Sequence, residues 1–159
     1  MTLNTSQLTT LKNEILTDPL KVGYSSYVGI SNVALAGMLN ATTGPGAAII
    51  QLSTITKGSL LLQIVPWLDQ LSTSQTVSGT AIPAATVTKW QQRFQALQAA
   101  DPTIAVSSIL PMMDNGISDG IATAAQVSSI TTKIGSRAEV LFGSGTVILW
   151  QDVQDALGS

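Results

Sequence analysis

The chain has no cysteine and no histidine among its 159 residues. The first absence excludes a disulfide framework and thiol chemistry, and leaves the redox compartment open. The second removes the commonest general base and the commonest metal ligand, so no catalytic, cofactor or metal residues are assigned and the chain is not expected to be an enzyme. Charge is scarce as well: charged residues make up 10% of the chain, against about 25% in an ordinary soluble domain. No acidic or basic side chain occurs between Lys21 and Lys57, or between Asp69 and Lys89. Seven basic residues scattered over a chain of net charge -2 lack the basic footprint of a nucleic-acid binder. Long apolar runs are missing too. The most apolar stretch, 58–71, is interrupted by Gln63, Pro66 and Asp69, and falls short of the roughly 20 apolar residues that a membrane span needs. The N-terminus lacks the basic start, apolar centre and cleavage site of a secretory signal, so the chain is expected to stay where it is made or to leave inside a particle.

What is present is a chain that is 45% hydrophobic, its remainder rich in Ser, Thr, Gln and Gly. A charge-poor surface of this kind suits burial against neighbouring subunits, because interface cores are depleted in charge. A homo-oligomer or a part of a larger assembly is therefore expected, with no small-molecule substrate.

Helical spacing and stop signals organise the chain. Residues 5–17 place Leu8, Leu11, Ile15 and Leu16 on one face, with Thr5 or Asn4 as cap and Asp18-Pro19 as the stop. A second helix is predicted over 31–40, capped by Ser31, with Val33, Leu35, Met38 and Leu39 as its apolar set, before the Gly-Pro-Gly loop at 44–46. The β-branched stretch 49–55 reads as a short extended piece, and Thr54 or Thr56 as the cap of a helix beginning near Lys57. Pro66 predicts a kink or a fresh start, and 72–81 reads as a polar loop. The clearest helix is 83–99, where Val87, Trp90, Phe94 and Leu97 form a stripe expected at the centre of the core. Helices follow at 107–116 and 123–133, the latter opened by the Thr123/Gln126 capping-box spacing. Residues 146–149 read as a short strand, and 150–158 as a last helix. The fold class is mainly α: a single small helical domain over 1–159, with about six to eight short helices and at most a few short strands near the C-terminus.

The candidate chemistry is thin. Asp114 and Asp119 lack the alternating ligands and closing glutamate of a calcium loop, and read as a helix end and turn. Thr54 and Lys57 have the spacing of an activated nucleophile without any accompanying motif. Lys89 and Arg93, beside Trp90, read as a solvated face rather than a phosphate site. Tyr24 and Tyr27, within the charge-free stretch, are either core or partner contacts. With Pro45 and Trp67 they are the candidate interface residues. The stretch GSRAEVLFGSGT (135–146) has the wrong element order for a dinucleotide loop and lacks the lysine of a Walker loop. It reads as a joint, with Gly135 as a break and Ser136 as a cap reinforced by Glu139. Leu141 and Phe142 pack inward in this reading, and Gly143 is a left-handed stop before Gly145.

Three stretches carry a resemblance: the DP-x-x-x-GY of 18–24, the Leu-Asn of 39–40 followed by Gly-Pro-Gly, and SRAEVLFGSGT with the DVQDAL that follows. In these the chain resembles a family of small tailed-bacteriophage proteins with a C-terminal SRAE-x-L-F-G-x-G-T motif. The match covers both ends and is loose in the middle. It departs just before the last helix, where Leu149-Trp150 stands in place of a capping Ser or Thr. The resemblance implies a virion or virion-assembly protein and does not fix the component. The favoured expectation is a structural protein of the neck or tail region, made in the host cytoplasm and packed against copies of itself and other phage structural proteins. The alternatives are an assembly chaperone absent from the mature particle and, less favoured, a small enzyme. No catalytic residue is carried over. Arg137 and Glu139 are expected to fix the C-terminal strand and helix in place.

Overall fold

The signals that end and begin helices organise the whole chain, which the computed structural model describes over residues 3–158. In order, the elements are α1 (Thr5–Thr17), a 3-10 turn (Tyr24–Ser26), α2 (Asn32–Asn40), β1 (Ala48–Gln51), β2 (Thr54–Thr56), α3 (Lys57–Gln63) and α4 (Val65–Thr73). There follow α5 (Ala84–Ala99), β3 (Thr103–Ala105), α6 (Val106–Ser118), α7 (Ala124–Thr131), β4 (Thr132–Gly135), α8 (Arg137–Phe142) and α9 (Trp150–Gly158). The fold is mainly helical with a few short strands. Only β4 lies toward the C-terminus; the other strands come earlier in the chain, and 146–149 is not a strand.

Local chemistry accounts for the helix starts. Asn4, Thr123 and Ser136 each close a full capping box with the glutamine or glutamate three residues on, satisfying two end N–H groups at once. Ser31 and Thr56 cap α2 and α3 with single hydroxyl bonds. Pro66 marks a fresh start: α3 stops at Gln63, and the proline sits in the first turn of α4, where its missing N–H costs nothing. The last helix, without a capping hydroxyl, is held instead by Asp152, whose carboxylate accepts from the Leu149 N–H at 2.8 Å.

Where one core was expected, the described residues bury two apolar clusters, and contacts divide the chain into two compact units. Unit 1 comprises the two ends, up to Ile50 and from Lys133 onward; unit 2 is Gln51–Thr132. In unit 1, α9 packs on α1 and α2, and α8 on α2. Its core gathers Leu11, Ile15, Tyr24, Leu35, Leu39, Ala138, Ile148 and Val153. The inward face of α1 is Leu11, Glu14 and Ile15, and the expected Leu16 is 56% exposed. In unit 2, β2 and β3 pair antiparallel with Ile55 opposite Ile104. The α5 stripe supplies Trp90, Phe94 and Leu97 to the core of this unit alone. Strands β1 and β4 form a separate two-stranded sheet where the chain leaves unit 1 and returns to it.

Candidate functional site

The stretch 135–146 is built around one carboxylate. Glu139, almost fully buried, accepts from Lys133 Nζ at 2.6 Å, from its own cap's Ser136 N–H at 3.1 Å and from the Gly145 N–H at 2.6 Å. These bonds tie β4, the start of α8 and the turn after it to a single group. The Lys133 hydrogen bond, against the opposing effect of burial, holds the Glu139 carboxyl below its ordinary range. An anion held by three donors serves as a structural rivet, and little of its basicity is left for chemistry.

The glycines of this joint have different jobs from those the sequence suggests. Gly135 ends β4 rather than breaking the chain, and a Cβ there would collide with the Ile50 side chain. Close packing of the two strands therefore requires glycine. Gly143 does stop α8 with positive φ, but at φ 101 and ψ 156 it lies outside the left-handed helical region, in backbone space that is essentially glycine's own. Ala138 and Glu139 are the buried residues of α8, while Leu141 and Phe142 are only half-buried.

Arg137, next to the cap, reaches α1. Its Nε and Nη2 donate to the two carboxylate oxygens of Glu14 at 2.8 and 2.7 Å, a two-pronged pair with Glu14 almost wholly buried. That hydrogen bond, partly offset by burial, raises the Arg137 pKa further. Tyr24 lies in the same core without solvent exposure. Burial, with the Glu14 carboxylate, pushes its phenol up to about 12.

Two further polar joints complete unit 1. Asp18, in left-handed geometry at the end of α1, receives the N–H groups of Val22, Gly23 and Tyr24 at 2.7, 2.8 and 3.3 Å. Asn40 pairs its side-chain amide with the backbone of Ile148 in both directions, at 2.7 and 2.9 Å. The stretch 146–149, expected as a strand, is thus anchored by a side chain and is not part of a sheet.

The four candidate interface residues divide evenly. Tyr24 and Trp67 are fully buried in the cores of units 1 and 2 respectively, so neither has surface to offer a partner. Tyr27 and Pro45 are exposed. The cationic candidates are engaged within unit 2. Lys57 Nζ donates to the Gln98 and Ala100 carbonyls at the end of α5, not to Thr54, which lies in β2 opposite Ala105. Asp119 accepts from Trp90 Nε1 at 2.7 Å and Lys89 Nζ at 2.6 Å, and the Arg93 guanidinium lies 4.6 Å from the Trp90 ring centre. Although burial opposes it, the bonds from Lys89 and Trp90 hold the Asp119 carboxyl below its ordinary value. Arg93 is therefore packed on the aromatic cluster, while Lys89, partly exposed, pairs with the Asp119 that Trp90 also holds.

Among the described residues no three acidic side chains gather as a metal site would require, and no helix is long and apolar enough to cross a membrane. The surface features that remain are apolar. Ile30 and Val33, 78% and 68% exposed, stand in the charge-free stretch of unit 1. In the same unit Ile49 and Ile134 line an open groove of about 430 Å³. Glu14, Asp18, Asn40 and Lys133 escaped the sequence reading as members of the joint. Asp18 and Asn40 do fall in stretches that carried the family resemblance. No family model, curated protein or solved structure matches the chain.

Proposed function

We propose that the chain is a bacteriophage virion structural protein of the neck or tail region, working by subunit packing and not by catalysis. The observation that carries this reading is the surface of 22–56: no acidic or basic residue, yet Tyr27, Ile30, Val33 and Ile49 are exposed. Such a surface is costly to leave in water and well suited to burial against other subunits. The three stretches that resemble the phage family supply Asp18, Asn40, Arg137 and Glu139, the polar joints of unit 1. In this reading those stretches shape a building block. The protein would be made in the host cytoplasm and carried in the virion beside other phage structural proteins. Quantitative mass spectrometry of purified particles tests it. The expected result is this chain at the copy number of a ring or array. Its absence from mature particles overturns the structural reading, and its presence only in assembly intermediates identifies a chaperone instead.

A further inference from the structure

Strand β1 has an open edge, and nothing in its sequence guards it. Because β1 and β4 form a sheet of two strands, each has one edge without a strand partner among the described residues. β4 carries Lys133. β1 reads Ala-Ile-Ile-Gln, with neither the charge nor the proline that usually blunts an edge. Its two isoleucines differ sharply in burial. Ile50 lies against Gly135, while Ile49 is 74% exposed and shares the open groove with Ile134, which is 62% exposed.

We propose that this edge is a self-association site: the β1 strands of two copies pair antiparallel across a two-fold axis. The two small sheets become one, and the Ile49 side chains of both copies leave water together. The proposal rests on the subunit-packing reading above and names the surface and the partner. Three observations select a second copy. An open backbone edge is satisfied by another strand. An antiparallel pair of identical strands is self-complementary about a two-fold axis, so one surface serves both partners. The surrounding stretch 22–56 has no acidic or basic side chain, so identical faces meet without like-charge repulsion and offer a charged partner nothing to recognise.

Light scattering over a concentration series, with amide hydrogen exchange on the same samples, tests the pairing. The native chain is expected to double in mass with rising concentration, and the β1 amides to gain protection in step. Ile49→Lys brings like charges together at the axis and should weaken the dimer roughly 100-fold while leaving the circular dichroism unchanged. Ile134→Lys, on the neighbouring strand, should also weaken it, whereas Leu62→Lys, at a 75% exposed position in unit 2, should leave it intact. A native chain that stays monomeric at millimolar concentration, or a dimer indifferent to both isoleucine substitutions, overturns the proposal. A monomer in solution that is nonetheless found in virions removes the β1 pairing and leaves the virion reading standing. A β1-paired dimer absent from particles does the reverse.

Discussion

Unit 2 is centred on aromatic rings: Trp67 meets Trp90 edge to face at 5.9 Å, and Phe94 continues the cluster at 5.8 Å from Trp90. Unit 1 buries a single aromatic completely, Tyr24, and fastens its helices with Glu14–Arg137, Glu139, Asp18 and Asn40. The difference teaches what each unit is sensitive to. An aromatic core loses stability when volume is removed, whereas a polar joint fails when one donor or acceptor is removed and its partner is left buried and unpaired. Unit 1 should therefore respond steeply to charge and pH, and unit 2 to shape.

The largest effect is expected from Arg137→Met. It leaves the Glu14 carboxylate, 4% exposed, without its partner, and should cost about 3–5 kcal/mol of unit 1 stability by chemical denaturation. Replacing Glu14 by Leu as well should recover much of that loss. Alkali comes next. A phenol whose pKa rises on folding favours the fold fully below its unfolded value of about 10, and this contribution disappears as the pH climbs to about 12. Unit 1 should thus lose about 2–3 kcal/mol across that interval, read as phenolate absorbance rising together with loss of structure. Glu139 has the opposite sign. Its contribution is complete above the ordinary glutamate range and is lost as the pH falls through its lowered folded value.

Trp90→Phe tests the other unit. It removes the indole bond to Asp119 and part of the ring cluster, and should cost about 2 kcal/mol, with no change in amide exchange at the unit 1 joint. In a Trp150→Phe background the indoles of the parent, Trp67 and Trp90, and the single Trp67 of the Trp90→Phe variant all lie in unit 2, so fluorescence follows that unit directly. The smallest effect is expected from Asn40→Ala, which leaves the Ile148 N–H and carbonyl without their side-chain partner. A cost of roughly 1–1.5 kcal/mol, with faster exchange confined to the Ile148 amide and its neighbours, would mark it as a local anchor.

Short-range features were legible in the sequence. Capping boxes span three residues, the Trp90–Phe94–Leu97 stripe repeats at one helical turn, and the Pro66 restart follows from one residue's geometry. The long-range pairings were not. Arg137 and Glu14 lie 123 positions apart, and Asn40 and Ile148 lie 108 apart, and neither residue of a pair carries a local sign of the other. Periodicity put Leu16 inside because it ranks apolar residues above charged ones. The fold buries Glu14 instead, since a two-pronged arginine makes that position tolerable. Tyr24 reads equally as core or contact and Trp67 as a candidate interface residue, yet with aromatics at 4% of the chain the cores claim both. The stretch 146–149, which reads as a strand, is not one, and the side chain that holds it, Asn40, gives no sign of that role in the sequence.

The central claim is that the 135–146 stretch is a structural joint closed by the Glu139 carboxylate. Amide hydrogen exchange of Glu139→Leu measures it most directly, because the substitution removes both acceptor oxygens that hold Lys133, Ser136 and Gly145. Protection at Ser136 and Gly145 should fall sharply and unit 1 should lose stability, while the α5 amides of unit 2 exchange as before. Native protection at Ser136 and Gly145 in the variant, with unit 1 as stable as in the parent chain, would contradict it.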